Sequence, residues 1–306
     1  MAKNNFKHRR DLNRMVVVGT LHSLELEEKL TKKGDKMMIT GNAFVEVVRG
    51  DQVNVIQMKV MAVDTSKLYQ GYKTVMEEYK SIAVHGRENA DKVKIEGSVE
   101  LNEYLANDNK VKGFNVINAT FFHRLAPTEY DGDMAILDIS GVYNGMKEVK
   151  DADGIPTGEY KINLLSLKYN SDTKDNDKVN ELKDLIISGE GAEYLQSMFT
   201  EGDAVALSVD LNRYVVVQED KQEEGGWGRK VVKRDSYREK FEVMGVSPSK
   251  ERDEEEVQEI IRLRKVQKAD IAGISTDEGK GFGRGVNTTP ASNPVVDSNF
   301  DDDMPF

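Results

Sequence analysis

MVVVGTL (15–21), MMITGNAFVEVV (37–48), VNVIQMKVMAV (53–63), YQGYKTVMEEYKSI (69–82), VKIEGSVEL (93–101) and FNVINATFF (114–122) follow one another along the first third of the chain. Five of these runs are rich in β-branched and alternating apolar residues and read as strands. The turn Arg49-Gly50-Asp51 separates the second from the third. In residues 69–82, Tyr72, Val75, Met76, Tyr79 and Ile82 recur at three- and four-residue spacing, which predicts a helix. Tyr69, Tyr72 and Tyr79 share that spacing and read as core. The order is three strands, a helix and two strands.

A second unit follows. MAILDISGVYNGM (134–146) reads as a strand, and the turn DADGIPTG (151–158) leads to another, EYKINLLSLKY (159–169). Residues 180–199 read as mostly helical, interrupted by Gly189 and Gly191. DAVALSVDLNRYVVV (203–217) and KFEVMGV (240–246) read as strands. The two units echo each other: SVELNEYL (98–105) and SVDLNRYV (208–215) agree at five of eight positions, with Glu100/Asp210 a conservative pair. Phe114-Asn-Val and Phe241-Glu-Val then open each unit's last strand. Placement in the same order favours a duplicated domain over a chance strand match.

Three strands, a helix and two strands is the order of the OB-fold. This is a small closed Greek-key barrel whose second and third strands, with loops one-two and four-five, take single strands or oligosaccharides. The expectation is therefore a mainly β protein of two tandem OB-fold barrels. Its parts are a basic N-terminal arm or flexible tail (1–14), a first barrel (15–126), a second barrel (133–247), a charged helix (248–271), a disordered Gly/Pro/Ser-rich linker (272–298) and an acidic tip (299–306). The helix rests on acids early, Lys and Arg late, and a narrow stripe of Val257, Ile260, Ile261 and Leu263. It packs on its own domain or serves a partner. The linker places Gly273, Gly279, Gly281, Gly283 and Gly285 within 13 residues, a composition that cannot offset its own ordering entropy.

Composition limits the function. The chain has 306 residues, no cysteine and a net charge of −11. Disulfides, thiolate metal sites and a cysteine nucleophile are excluded. No apolar run reaches membrane-spanning length, and residues 1–14 lack the apolar region of a secretory signal. Acidic bulk charge argues against indiscriminate nucleic-acid binding, so such binding must rest on local charge. Residues 271–306 hold six acids and two bases, leaving −7 on the remainder.

The last eight residues, NFDDDMPF (299–306), resemble the C-terminal tip of bacterial and phage single-stranded DNA-binding proteins: an aspartate run, an aliphatic residue, Pro and a terminal Phe after a Gly-rich linker. Met304 stands where isoleucine or leucine is usual. NRMVVVGTL (13–21) is similar to that family's first strand and VKIEGSV (93–99) to its fourth. Two barrels per chain depart from the usual bacterial form and leave the DNA path on the second barrel in doubt. The resemblance implies sequence-independent single-stranded DNA binding in replication, recombination and repair. It implies recruitment of partner proteins through Phe300, Asp301, Asp302, Asp303, Met304, Pro305 and Phe306. A bacterial cytoplasm, host or phage-infected, is the expected location.

Single-strand binding needs cations along the phosphates and flat side chains under the bases. Alternation in residues 37–48 puts Ile39, Gly41, Ala43, Val45 and Val47 on one face and Met38, Thr40, Asn42 and Phe44 on the other. Phe44 is then a stacking candidate; with the parity reversed it would be core. Lys59 lies mid-strand, as a DNA contact or a plain solvated lysine. Lys110 and Lys112 sit in the four-five loop, NDNKVKG (107–113). In the second unit, GGWGRKVVKR (225–234) gathers Trp227, Arg229, Lys230, Lys233 and Arg234 without an acid. An indole among glycines and cations suits stacking, with strand-edge packing as the alternative. Arg213, Tyr214 and Tyr237 flank it. His8, His22, His85 and His123 are scattered, and Asp151-Ala-Asp153-Gly154 lacks the later ligands of a calcium loop. No enzyme, metal or cofactor is expected. A strand-annealing protein and a protein-binding adaptor are the rival readings. Two barrels per chain permit a homodimer but do not require one.

Overall fold

The structure, a computed structural model, describes residues 8–217 and 235–273. The first barrel comprises β1 (Asn13–Leu30), β2 (Met37–Arg49), β3 (Gln52–Val63), α1 (Tyr69–Glu78), α2 (Ile82–His85), β4 (Lys92–Leu105) and β5 (Val111–Arg124). Its strands are ordered β2-β3-β5-β4-β1, and the β1–β2 pairing closes the ring. β3 and β5 run parallel; the other pairings are antiparallel. The second barrel comprises β6 (Met134–Lys150), β7 (Pro156–Asn170), β8 (Asp175–Ser188), α3 (Gly189–Met198), β9 (Ala204–Val217) and β10 (Asp235–Pro248). It repeats the order as β6-β7-β8-β10-β9, closed by β6–β9, with β8 parallel to β10. Both rings have OB-fold topology, each with a helix between its third and fourth strands.

The alternating apolar residues fill the barrels as their period demands. Met15, Val17, Ile39, Val45, Ile56, Met58 and Ile95 are fully or almost fully buried in the first, and Leu137, Ile139, Ile162, Leu164, Leu182, Leu185 and Ile187 in the second. Tyr72 plugs the first barrel and donates to Ala119 O at 3.0 Å, as its helical spacing suggested.

Two expectations need correction. Residues 180–188 are strand, not helix, and only residues 189–198 form a helix. The cause is an irregularity in β8. Leu182 pairs with Leu164 and Leu185 with Ile162, so β8 holds one extra residue there, and Asp184 has φ 58. A bulge of this kind sets inward residues three apart and imitates a helical period. In addition, Val179, Asn180, Glu181 and Leu182 are all buried, because both faces of β8 are covered and polar alternation is lost. The second correction concerns Phe114 and Phe241, which do not open their strands, since β5 begins at Val111 and β10 at Asp235, and which are not equivalent. Asn102 pairs with Phe114, whereas its counterpart in the repeat, Asn212, pairs with Lys240. That one-residue offset reverses the face: Phe114 is exposed and Phe241 buried.

The barrels join through β1 and β6, which pair antiparallel from Asn13↔Ile139 to Val18↔Met134. Matched contacts flank this seam. The repeat's conservative acids take equivalent partners: Lys168 reaches Glu100 at 2.7 Å, and Arg49 reaches Asp210. Asn54 and Asn180, at equivalent places on the third strands, are both buried and both touch the opposite barrel's fourth strand. Asn180 holds Val99 O and Leu101 N, and Asn54 approaches Asn212.

The charged helix, α4 (Glu254–Ile271), packs on its own chain. Asp253 caps it by accepting from Glu256 N at 2.8 Å, and three glutamates occupy its first turn. Val257 and Ile260 pack against Val142, Leu165, Leu167 and Val179 on the outside of the second barrel. Each such burial contributes about 1.5–3 kcal/mol. Beside them the buried Arg264 spans both barrels, donating to Glu181 of β8 and Glu103 of β4, each at 2.7 Å. Lys268 adds a contact to Glu181 at 2.8 Å. From His8 onward the N-terminal arm is not a free tail. Asp11 is buried, exchanges backbone and side-chain hydrogen bonds with Leu167, and holds the buried Arg252 at 2.8 Å.

Arg264→Ala leaves the Glu103 carboxylate without this partner and Glu181 dependent on Lys268, and should cost about 3 kcal/mol of stability in chemical denaturation. A loss below 1 kcal/mol would show the cluster to be incidental.

Burial alone would raise the Glu181 carboxyl, but Lys268 and Arg264 together hold it below the ordinary glutamate value. A carboxyl with a depressed folded pKa stabilises above its unfolded pKa and loses that contribution as pH falls through the folded one. Asp11 is opposite: burial pushes it up against the pull of Arg252, so its cost eases as pH falls through the raised value. Glu181→Gln should therefore flatten the acid-side fall in melting temperature and Asp11→Asn should steepen it. The same acid slope in both variants as in the wild type would refute this division.

Candidate nucleic-acid interface

The outer face of β2–β3 in the first barrel is set by the parity of its core residues. With Ala43, Val45, Met58 and Val60 inside, Phe44, Asn42 and Thr40 must point outward opposite Gln57, Lys59 and Met61. The parallel pair Lys59↔Asn118 extends this row onto β5. Phe44 is half-buried, and Lys59 is exposed and makes no ion pair among the described residues. Met61 is 58% exposed. Acids border this face: Glu46 is held by Arg87, and on β1 the exposed Glu25 and Glu27 lie opposite Asn42 and Thr40, Glu27 paired with Lys29. A flat ring, a thioether and an uncompensated cation can take a base and a phosphate.

Basic loops bound the face at both ends. The β1–β2 loop, 31–36, carries Lys32, Lys33 and Lys36, all exposed and without ion pairs among the described residues. It lies at the Val63 end of β3, where Asp64 N donates to Met37 O. The β4–β5 turn, 106–110, presents an exposed Lys110, whose N–H is fixed by Asp108 at 3.1 Å. Lys112, the second residue of β5, reaches Asp108 at 3.8 Å. Because β5 runs parallel to β3, this turn lies at the opposite end of the face. Register places Tyr104 against Lys112 and Phe114 against Asn102, and both rings are about half exposed.

The structure thus brings Phe44 and Lys59 onto one face, with Lys110 and Lys112 at its edge. Arg213 and Tyr214 lie on β9, opposite Glu239 and Arg238. Trp227, Arg229, Lys230, Lys233 and Arg234 fall outside the described residues, as do Phe300, Asp301, Asp302, Asp303, Met304, Pro305 and Phe306. Sequence reading missed Lys32, Lys33 and Lys36, Met61, Tyr104 and Phe114. The signal for Phe114 was present: Ile117 and Ala119 fix the inward parity of β5, which turns Phe114 out.

Among the described residues no His, Asp or Glu group is arranged to hold a metal ion, and no helix is long and apolar enough to cross a membrane.

Two closed rings of OB order, one with an open aromatic and basic face, define a tandem OB-fold protein. The chain belongs to the YorF family, whose model matches residues 11–272. No curated protein matches it. Among solved structures it is similar to the wild-type single-stranded DNA binding protein from Thermus aquaticus, at 14% identity and TM-score 0.47, covering 80% of this chain and 96% of that one. A deletion and point mutant of the same Thermus aquaticus protein is similar at 13% identity and TM-score 0.46, covering 80% and 97%. Both likenesses are distant; the two barrels are assigned from strand order and register.

Between Thr40 and Asn42 of β2, Gly41 has the inward parity, at φ 147, and a Cβ there would stand 1.9 Å from Glu25 O. Gly41→Ala should force β1 and β2 apart and cost at least about 1 kcal/mol. An unchanged melting temperature would show that the close approach is dispensable.

Proposed function

We propose that this chain is a non-enzymatic binder of single-stranded DNA that reads no sequence. The open face of Phe44, Lys59 and Met61 between two lysine-bearing loops carries this reading. It offers stacking surface and cations but no ordered set of base-edge donors and acceptors. Its geometry suits one strand with its bases splayed outward. The acidic remainder keeps the surface soluble while the local field stays positive. Residues 225–234, with Trp227 among four cations, follow β9 and precede β10 in the sequence and would add a second contact.

In this reading the chain protects single strands during replication, recombination and repair, within a bacterial cytoplasm. Phe300 to Phe306 would recruit partner proteins: three aspartates repel phosphate, whereas Phe306 offers a ring for an apolar pocket. A strand-annealing protein would share the face but act on two strands, and an adaptor would bind neither.

Gel shifts with oligo-dT and with duplex of equal length test the reading. Strong preference for oligo-dT is expected, with log affinity falling linearly in log salt at roughly 0.7 per phosphate neutralised. Equal duplex binding, or no salt dependence, would overturn it.

Trp227→Ala should weaken oligo-dT binding by about 1–3 kcal/mol, and the Trp227 fluorescence of the wild type should quench as DNA is added. Unchanged fluorescence and affinity would remove the indole from the site. Deleting residues 299–306 should leave DNA affinity intact and abolish capture of replication or repair proteins. The reverse pattern would contradict the role given to the tip.

A further inference from the structure

We infer that the two barrels have divided their labour: only the first presents a strand-binding sheet face, and the second has given that face to α4. This rests on the proposed single-strand binding and names the part of the chain that carries it.

The registers allow position-by-position comparison of the two faces. Ala43↔Met58 and Val45↔Ile56 in the first barrel correspond to Ile162↔Leu185 and Leu164↔Leu182 in the second, all buried. Three positions further, the outward pair Val48↔Val53 corresponds to Leu167↔Val179. Val48 and Val53 are 40% and 58% exposed, whereas Leu167 and Val179 are 1% and 5% exposed beneath Val257 and Ile260 of α4. Glu181, beside them, is committed to Arg264 and Lys268. The Gln267 amide, turned so that its nitrogen faces Val179 O, also meets Val179 N, at 3.0 and 2.9 Å, and so caps the backbone of β8. What α4 covers is thus apolar and acidic, and it is sealed by a helix tied to both barrels.

The uncovered half of the second face lacks the binding groups as well. In the same register Asn163 takes the place of Phe44, and the pair Lys161↔Ile186 takes the place of Asn42↔Lys59. Glu159↔Ser188 stands where the first barrel has Thr40↔Met61. The cations on this face are paired: Lys161 with Asp184 at 2.9 Å, Lys240 with Glu159 at 2.8 Å, and Lys183 with Glu181 at 3.9 Å. The ring, the thioether and the uncompensated lysine of the first face therefore have no counterparts. Duplication of the barrel did not duplicate the site.

Polarisation with labelled oligo-dT of about 16 nucleotides, enough for one OB-fold, decides the matter on the full chain. Phe44→Ala with Lys59→Ala should weaken binding about tenfold or more, from one lost stack and one lost phosphate contact. Asn163→Ala with Lys161→Ala should change it by less than about twofold, with melting curves confirming that both variants fold. Equal losses from the two pairs would overturn the division of labour while leaving single-strand binding intact. Failure of the wild-type chain to hold oligo-dT would overturn the function and this inference with it.

Discussion

The pairing of β1 with β6 is the constraint on which the molecule depends. Each strand opens its own barrel and also lends an edge to the other, so one ladder of backbone hydrogen bonds fixes both units. Edges that would otherwise invite association are consumed within the chain. Every contact between the barrels follows from that alignment. Asn180 can reach Val99 and Leu101, and Arg49 can reach Asp210, only because the seam sets the opposed strands at matching heights. The repeat seen in the sequence is the trace of this arrangement, since Glu100 and Asp210 serve opposite sides of the same seam.

α4 exploits the asymmetry that remains. A helix can lie on a sheet only where outward residues are apolar, and Leu165, Leu167 and Val179 supply that on the second barrel. On the first barrel Glu46 stands where Leu165 does on the second, and it is engaged by Arg87. A few outward side chains therefore separate a barrel that holds a helix from one that stays open. Arg264 is costly to bury, and its two carboxylates offset that cost while fixing the helix to both barrels.

Much of this was legible in the chain. The first barrel's strands alternate cleanly, so Phe44 and Lys59 could be placed outward from Ile39, Val45 and Val60 alone. β8 could not be read. It is covered on both faces and bulged at Asp184, and both conditions erase the two-residue period on which strand recognition depends. The same loss hid the seat of α4, because Leu167 and Val179 look like core whichever way they point. Phe114 was overlooked for a different reason. It was matched to Phe241 by sequence, and identical residues one register apart face opposite ways.

The anchoring of residues 8–12 bears on how the chain acquires its shape. Asp11 meets Arg252 across a separation of 241 residues, and Leu167 lies between them in sequence. A ribosome delivers the first barrel's strands long before either partner exists. That barrel can therefore close with its leading segment unattached, and the segment settles only once Leu167 and Arg252 have emerged. Contacts of such long loop length form late and slowly. The stitching of the chain's beginning to its far end then follows closure of the first barrel and ties it to the second.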